Sequence, residues 1–436
     1  MAQPKTPAEL QKTLTPLALW AIAVGLVISG EYFGWNYGWA TAGPVGMLLV
    51  TLGITVLYGT FVLSFTELTT SIPQAGGPFA YAHRALGPWG GVVVGYATLV
   101  EFLLTPPAIA LALGSYGHFL WPAVPVLGTA VGCYVVFTAL NLLGIKESAR
   151  FSLVVTVLAV AELLVFMGLL APHFRLSNFL AHPVPLRWAG VLAALPFAIW
   201  FYLAIEGVAM VAEEVKDPRR ALPRGYGYGL GTLVALALGV MVLTGGATDW
   251  RRLAHLDYPL PEALALVLGR ASAWTKFFAS IGLFGLVASF HGTLLGYSRQ
   301  LFALARAGYL PGALASLNAR GAPHGALLAG AGVGVAALLT GHTDQLIILA
   351  VLGALVMYAV SLLSLFVLRR REPELARPFA VPGYPVVPAV ALGLVLLSLG
   401  ALVYSHLALS AIFVAGLLVV LALYWWLKIY TVSTTV

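Results

Sequence analysis

The chain has 436 residues, 60% of them hydrophobic and only 9% charged, with a mean hydropathy of +0.94; this excludes a water-soluble globular fold and indicates an integral membrane protein. The formal net charge of +7 arises from 23 Lys and Arg against 16 Asp and Glu, and because those cations cluster between long apolar runs they read as a membrane-topology signal and not as nucleic-acid binding. The single cysteine, Cys133, rules out an internal disulfide or a cysteine metal site and reads as a small buried hydrophobe.

No Lys or Arg falls in 13–83, 85–145, 151–174, 188–215, 225–250, 277–298, 321–368 or 378–427. At roughly 20 apolar residues per crossing these gaps hold about twelve spans. They are placed at 15–42, 44–70, 88–117, 121–144, 149–171, 188–215, 226–247, 274–305, 324–341, 344–369, 386–405 and 408–430. The first run is too long, and too gently flanked, to be a cleaved signal peptide. Of the 23 basic residues only Arg175, Arg187, Arg251, Arg252, Arg270 and Lys276 fall on the far side of this topology. The positive-inside bias therefore puts both tails, 1–14 and 431–436, in the cytoplasm, with the chain multi-pass in the plasma (inner) membrane.

Five glutamates, Glu31, Glu67, Glu101, Glu162 and Glu206, lie in stretches that contain no cation of their own. A charged carboxylate at the bilayer centre costs about 2.5–3.5 kcal/mol, so five unpaired would cost on the order of 15 kcal/mol. Such groups are neutral, hydrogen-bonded, solvated or awaiting a cationic ligand.

The first span carries Gly25, Gly30, Gly34, Gly38 and Gly43, then Pro44, with Ser29-Gly30-Glu31 in the middle. Backbone leaves the helix at membrane depth only where it is buried in protein or lines a cavity, and this triplet marks such a place. Glu31 is the first candidate to grip an ammonium; capping the second half-helix is the alternative. Glu67 stands near the end of the second span and reads as a gate or loop anchor. In the third, Glu101 precedes Thr105-Pro106-Pro107 and either lines a cavity or makes a satisfied packing contact; Glu162 in the fifth has no motif around it and is expected to be protonated or solvated. The sixth span is interrupted around Pro196, Trp200-Phe201-Tyr202 and Glu206-Gly207, where Glu206 is a substrate ligand, a proton-sensitive latch or a structural hydrogen-bond partner. Interruptions in spans one and six suggest two inverted five-helix repeats with a midplane site between them. Tyr32, Phe33, Trp35, Trp200, Phe201 and Tyr202 can enclose a small cation through contacts of roughly 0.5–2 kcal/mol each. In the eighth span Ser289-Phe290-His291 is a further polar insertion, His291 being a proton shuttle or a buried neutral histidine.

The stretches ELTTSIPQAGGPFAYAHRALG (67–87), AEEVKDPRRALPRG (212–225), SRQLFALARAGYLPGAL (298–314) and RPFAVPGYPVVP (377–388) resemble the signatures of amino acid-polyamine-organocation transporters, in order and at family spacing. Within that superfamily ISGEYFGWNYG (28–38), GPWGGVVVGYATLVEFLLTP (87–106), ALPFAIWFYLAIEG (194–207) and GLVASFHG (285–292) are similar to ethanolamine permeases. The resemblance implies an all-α, LeuT-like fold of twelve transmembrane helices with helices one and six discontinuous. It places the first repeat in 15–171, the second in 188–369 and two further helices in 386–430, with alternating access about a central site. Amino acid-carrying relatives have Gly-Ser-Gly and an apolar residue in the first interruption, where backbone amides receive the substrate carboxylate. Here Ile28-Ser29-Gly30-Glu31 supplies an anion at that place, which repels a carboxylate and attracts an amine.

The expected ligand set is accordingly Ser29, Gly30, Glu31, Tyr32, Glu101, Trp200, Tyr202 and Glu206, with Glu206, His291 and Glu67 in coupling or gating. No cofactor or metal is called for. Proton-coupled relatives often carry a lysine midway along the fifth helix; the matching run, Thr156-Val157-Leu158-Ala159-Val160, has alanine there, so a coupled proton, a coupled sodium ion and uniport all stay open. Asp217, Asp249, Asp257 and Asp344 fall in loops or at helix ends, against an aspartyl protease, and there is no HExxH motif. The chain is therefore expected to be a transporter and not an enzyme. A ligand sensor and a cationic amino acid or polyamine exchanger are the rival readings.

Overall fold

The computed structural model describes residues 12–433. Lys5, most of the two expected tails and the side chain of Lys428 lie outside the described residues. The fold is all-helical, and among the described residues the one β contact is an isolated bridge between Leu14 and Val215.

In chain order the helices are α1 (Pro16–Val27), α2 (Ser29–Tyr32), α3 (Tyr37–Ser71), α4 (Pro78–Leu120), α5 (Val126–Asn141), α6 (Ile145–Leu170), α7 (Leu176–Phe179), α8 (Trp188–Trp200), α9 (Pro218–Ala247), α10 (Pro259–Leu268), α11 (Ala273–Ile281), α12 (Leu283–Arg306), α13 (His324–Leu338), α14 (Thr343–Arg371), α15 (Val386–Ser405) and α16 (Leu407–Ser433). Among the described residues nine helices are long and apolar enough to cross a membrane; the runs 16–32, 126–141 and 324–338 match the three other expected spans but are shorter. Two joints are glycine-made. Gly43 (φ 66°) bends α3 directly before Pro44, and Gly87 (φ 77°) bends α4 before Pro88, positive φ being open to glycine at little cost.

Three boundaries differ from the sequence reading. The first span is broken twice, at Ile28 between α1 and α2, beside the expected triplet, and again at Phe33–Asn36, which the sequence reading did not place, with Phe33 extended and Gly34 at φ 91°. In the sixth, Pro196 sits inside α8 and does not interrupt it; the chain leaves the helix at 201–204, then continues as a 3-10 helix, Ile205–Glu214. The segment 250–268, read as a loop, contains α10, whose Leu260, Ala263 and Leu264 are buried. Its ten residues fall below span length, which is why it was not recognised.

The interruption at 201–204 is built around Ala204, which has φ 75° and ψ 7°. A non-glycine residue in this region carries roughly 1–3 kcal/mol of strain. Ala204→Gly is expected to raise the melting temperature, by relief of about 1 kcal/mol; a lowered one would place a packing role on the Ala204 methyl instead.

Close approaches position the interior. A Cβ added at Gly30 would lie 2.5 Å from the Trp200 carbonyl oxygen and 3.0 Å from Phe201 Cα, so α2 meets the end of α8 backbone to backbone. A Cβ at Gly353 would lie 2.4 Å from Ala97 O and 2.9 Å from Glu101 N, so α14 rests on α4 at the level of Glu101. Small residues at such crossings are how membrane helices bring backbones together.

Candidate functional site

The interruption in the first span is made by a side chain from elsewhere. Ser29 N–H does not reach the carbonyl four residues back; it donates to Ser289 Oγ of α12 at 2.9 Å, and Ser289 Oγ donates to Gly25 O at 2.7 Å. A hydroxyl is thus inserted into one rung of the helical ladder, one of the ways such a ladder is opened. Thr156 of α6 adds a bond to Ala21 O at 3.1 Å, and it is Thr156, three residues before Ala159, whose side chain meets Gly25. Ser289→Ala leaves the Ser29 amide and the Gly25 carbonyl without their bridge, at an expected cost of about 1–3 kcal/mol; an unchanged melting temperature would count against the bridge.

One turn on, Glu31 is fully buried and neither carboxyl oxygen has a hydrogen-bond partner. It does not cap the half-helix after the break: α3 has Asn36 at its N-cap and no side-chain capping bond. Its backbone carbonyl receives Trp35 Nε1 at 3.0 Å. The Trp200 ring stands edge-on to Phe33 at 5.5 Å with Nε1 unpartnered, and Trp35 stacks on Phe201 at 5.8 Å. The Tyr202 phenol, held by Thr55 Oγ1 at 2.7 Å, lies within reach of the Glu31 charge.

Glu206 is directed elsewhere. Its Oε2 receives the Tyr358 phenol at 2.7 Å, and its carboxyl faces that of Glu101, itself fully buried. Tyr358 is 3.1 Å from Tyr58, whose ring lies 5.1 Å from that of Tyr202. The three inner carboxyls therefore fall into two stations, Glu31 and the Glu101–Glu206 pair, and the rings of Tyr202, Tyr58 and Tyr358 pack in series beside the second. Two carboxyls in contact cannot both carry charge without a proton or cation between them. Among the described residues no Lys or Arg forms an ion pair with Glu31, Glu101, Glu162 or Glu206. Glu31, Glu101 and Glu206 are each 0% exposed, so this conformation is closed over them.

Tyr32, grouped with the ligands from sequence, points away from this chamber. Its phenol is 3.0 Å from Glu162 Oε2 and 3.1 Å from Ala159 O, both on α6. His291 also faces outward from the site. Asn141 Nδ2 donates to its Nδ1 at 2.9 Å, and its ring packs 4.9 Å from Phe151, leaving Nε2 unpartnered between α5, α6 and α12.

Glu67 corrects the picture of unpaired carboxyls. Arg369 forks onto both its oxygens at 2.8 and 2.6 Å, Arg377 stands at 3.3 Å, and Val381 N–H donates at 2.7 Å. It is an ion-paired anchor for 377–381. A second knot ties Glu214 to Arg299 at 3.1 Å, both 1% exposed, and Glu213 to Arg306 at 2.6 Å. The Glu214 carbonyl accepts both Thr13 and Leu14 N–H at 2.9 Å. All four family-like stretches thus meet in these two knots, away from the carboxyl chamber.

The sequence reading did not single out Tyr58, Tyr116, Tyr358 or the Ser289 bridge. The tyrosines were visible as hydroxylated rings within apolar spans; which of them face the carboxyls depends on helix crossings.

A family model described as amino acid permease matches residues 14–432. The chain belongs to the amino acid permease family. This permease is 29% identical over 400 residues to an uncharacterized transporter of Rhizobium meliloti, covering 88% of this chain and 85% of that one. It is 26% identical over 411 residues to the branched-chain amino acid permease BcaP of Bacillus subtilis (88% and 86% covered) and 26% over 420 residues to that organism's methylthioribose transporter (91% and 89%). A multi-pass membrane transporter of small molecules follows from that membership.

Proposed function

We propose that this permease carries a small primary amine, ethanolamine in the first instance, by alternating access between two inverted repeats (15–171 and 188–369), with both chain ends cytoplasmic. One observation carries the reading: at the backbone crossing of the two interruptions stands a fully buried carboxyl, Glu31, with both oxygens unpartnered. An ammonium supplies the missing charge and donors. Trp200 and Tyr202 flank it, Ser29 and Gly30 shape the crossing, and the hydroxyl end of ethanolamine suits the nearby phenols. An amino acid would bring its carboxylate against Glu31 instead. The Glu101–Glu206 pair, in the same interior, is the second acidic station and the amine's second contact. The relative named as a methylthioribose transporter supports a family tolerance for cargo without a carboxylate.

The relative named for branched-chain amino acids favours a second reading, an amino acid cargo. A thermal-shift panel on the purified protein separates them, since a ligand that binds only the folded state raises the melting temperature by mass action. Stabilisation by ethanolamine but not by alanine, leucine, arginine, putrescine or choline is expected. Stabilisation by alanine or leucine alone would transfer the protein to the amino acid reading, and by arginine or putrescine to the exchanger reading.

A further inference from the structure

The carboxyl that the amine site leaves unused is Glu162. It is 2% exposed. Its Oε1 has no hydrogen-bond partner and packs on Gly282, the joint between α11 and α12, where an added Cβ would lie 2.8 Å away. Its Oε2 is 3.0 Å from the Tyr32 phenol, which is also 3.1 Å from Ala159 O. A phenol has one proton and cannot donate to both acceptors fully. We propose that Glu162 is a proton-binding site that locks the Glu31-bearing segment α2 onto α6, resting on the transporter reading above.

The hydrogen-bond count gives the reason. With Glu162 ionised, the Tyr32 proton serves the carboxylate and the phenol's bond to Ala159 O is given up. With a proton added to Glu162 from water, the carboxyl donates to the phenol oxygen and the phenol donates to Ala159 O, so one bond between α2 and α6 becomes two. No other bond breaks and no further reactant is needed. The surroundings supply no competing cation. From α2 the group meets Tyr32, with Glu31 next in the chain; from α4 it meets Tyr116, whose phenol donates to the Tyr32 carbonyl at 3.0 Å. From α11 and α12 it meets Phe278 and Gly282, which do not titrate. On the remaining neighbours, α1 faces α6 through Ala21 and Gly25, α9 through Gly239 against Met167, α10 carries Glu262, already paired with Arg270 at 2.7 Å, the 3-10 turn Ala171–His173 carries the exposed His173, whose Nδ1 is 3.2 Å from Leu169 O, and His291 of α12 meets α6 at Phe151 and is bonded to Asn141 of α5. The proton thus acts on the residue adjoining the amine ligand without sharing its site.

Infrared difference spectra of the purified protein in lipid, taken between acid and alkaline pH with no substrate, test this directly. Glu162→Gln is expected to remove one titrating carboxylic C=O component that Glu31→Gln retains; an unaltered band in Glu162→Gln would overturn the assignment. In liposomes, ethanolamine uptake driven by an imposed proton gradient should fall in Glu162→Gln to its gradient-free level. Exchange of labelled for unlabelled ethanolamine should persist, because the amide mimics the protonated acid. Unimpaired gradient-driven uptake also overturns the proposal. Should Glu162→Gln fail to fold, Tyr32→Phe removes the carboxyl's partner and must shift the same band, an unshifted band being the negative result. The infrared arm needs no cargo, so a failure of the ethanolamine reading leaves it standing.

Discussion

Glu31→Gln is expected to weaken ethanolamine binding by at least about 30-fold while leaving the ligand-free melting temperature no lower than that of the parent. The affinity loss follows from removing one partner of a buried charge pair, which costs about 2–5 kcal/mol, each 1.4 kcal/mol being tenfold. The retained stability follows from the geometry: the carboxyl makes no hydrogen bond in the closed protein, so the fold loses none. Calorimetric titration with ethanolamine on parent and variant decides it, with alanine as control. Undiminished ethanolamine affinity would remove Glu31 from the amine site; a new affinity for alanine would show that its charge was what excluded carboxylates.

The largest stability effect is expected at Glu214, outside the chamber. Glu214→Gln leaves the Arg299 guanidinium buried at 1% exposure without a counter-charge, its remaining partners being a neutral amide and Ser298 Oγ at 3.4 Å. Breaking a buried pair from one side costs about 3–5 kcal/mol, whereas replacing both partners by apolar groups of similar volume is often neutral. The single variant should therefore melt well below the parent, and Glu214→Leu combined with Arg299→Met should recover most of the loss. Equal melting temperatures for single and double variants would mean that the pair is not the source of the stability.

The long runs without Lys or Arg made the spans legible, because a membrane tolerates little else. Glu31 and Glu206 were legible as the polar members of interrupted runs. What they touch was not. Glu101 and Glu206 become neighbours only because α4, α14 and the 3-10 segment converge. The cation nearest Glu67 comes from Arg369, 302 positions along the chain. Ser289 opens the first span through a crossing of α12 over α1, and no local pattern near residue 29 announces it. The break in the sixth span was read around Pro196, Trp200-Phe201-Tyr202 and Glu206-Gly207, and the chain leaves the helix within that window, at 201–204; Pro196 itself stays in the helix, as a proline can in a membrane when its surroundings satisfy the freed carbonyl. The chain instead turns at Ala204, whose left-handed conformation no propensity scale anticipates. Tyr32 was grouped with the ligands for its position beside Glu31, but successive helical residues project about 100° apart, so it faces α6 while Glu31 faces the interior.

The two amides that Thr13 and Leu14 donate to Glu214 have a practical consequence for handling the protein. They fasten the segment immediately before α1 to the same residue whose side chain holds α12. A purification tag or fluorescent partner fused just upstream of Thr13 would load that fastening mechanically and bias which way the protein opens, so transport rates measured on it would report partly on the fusion.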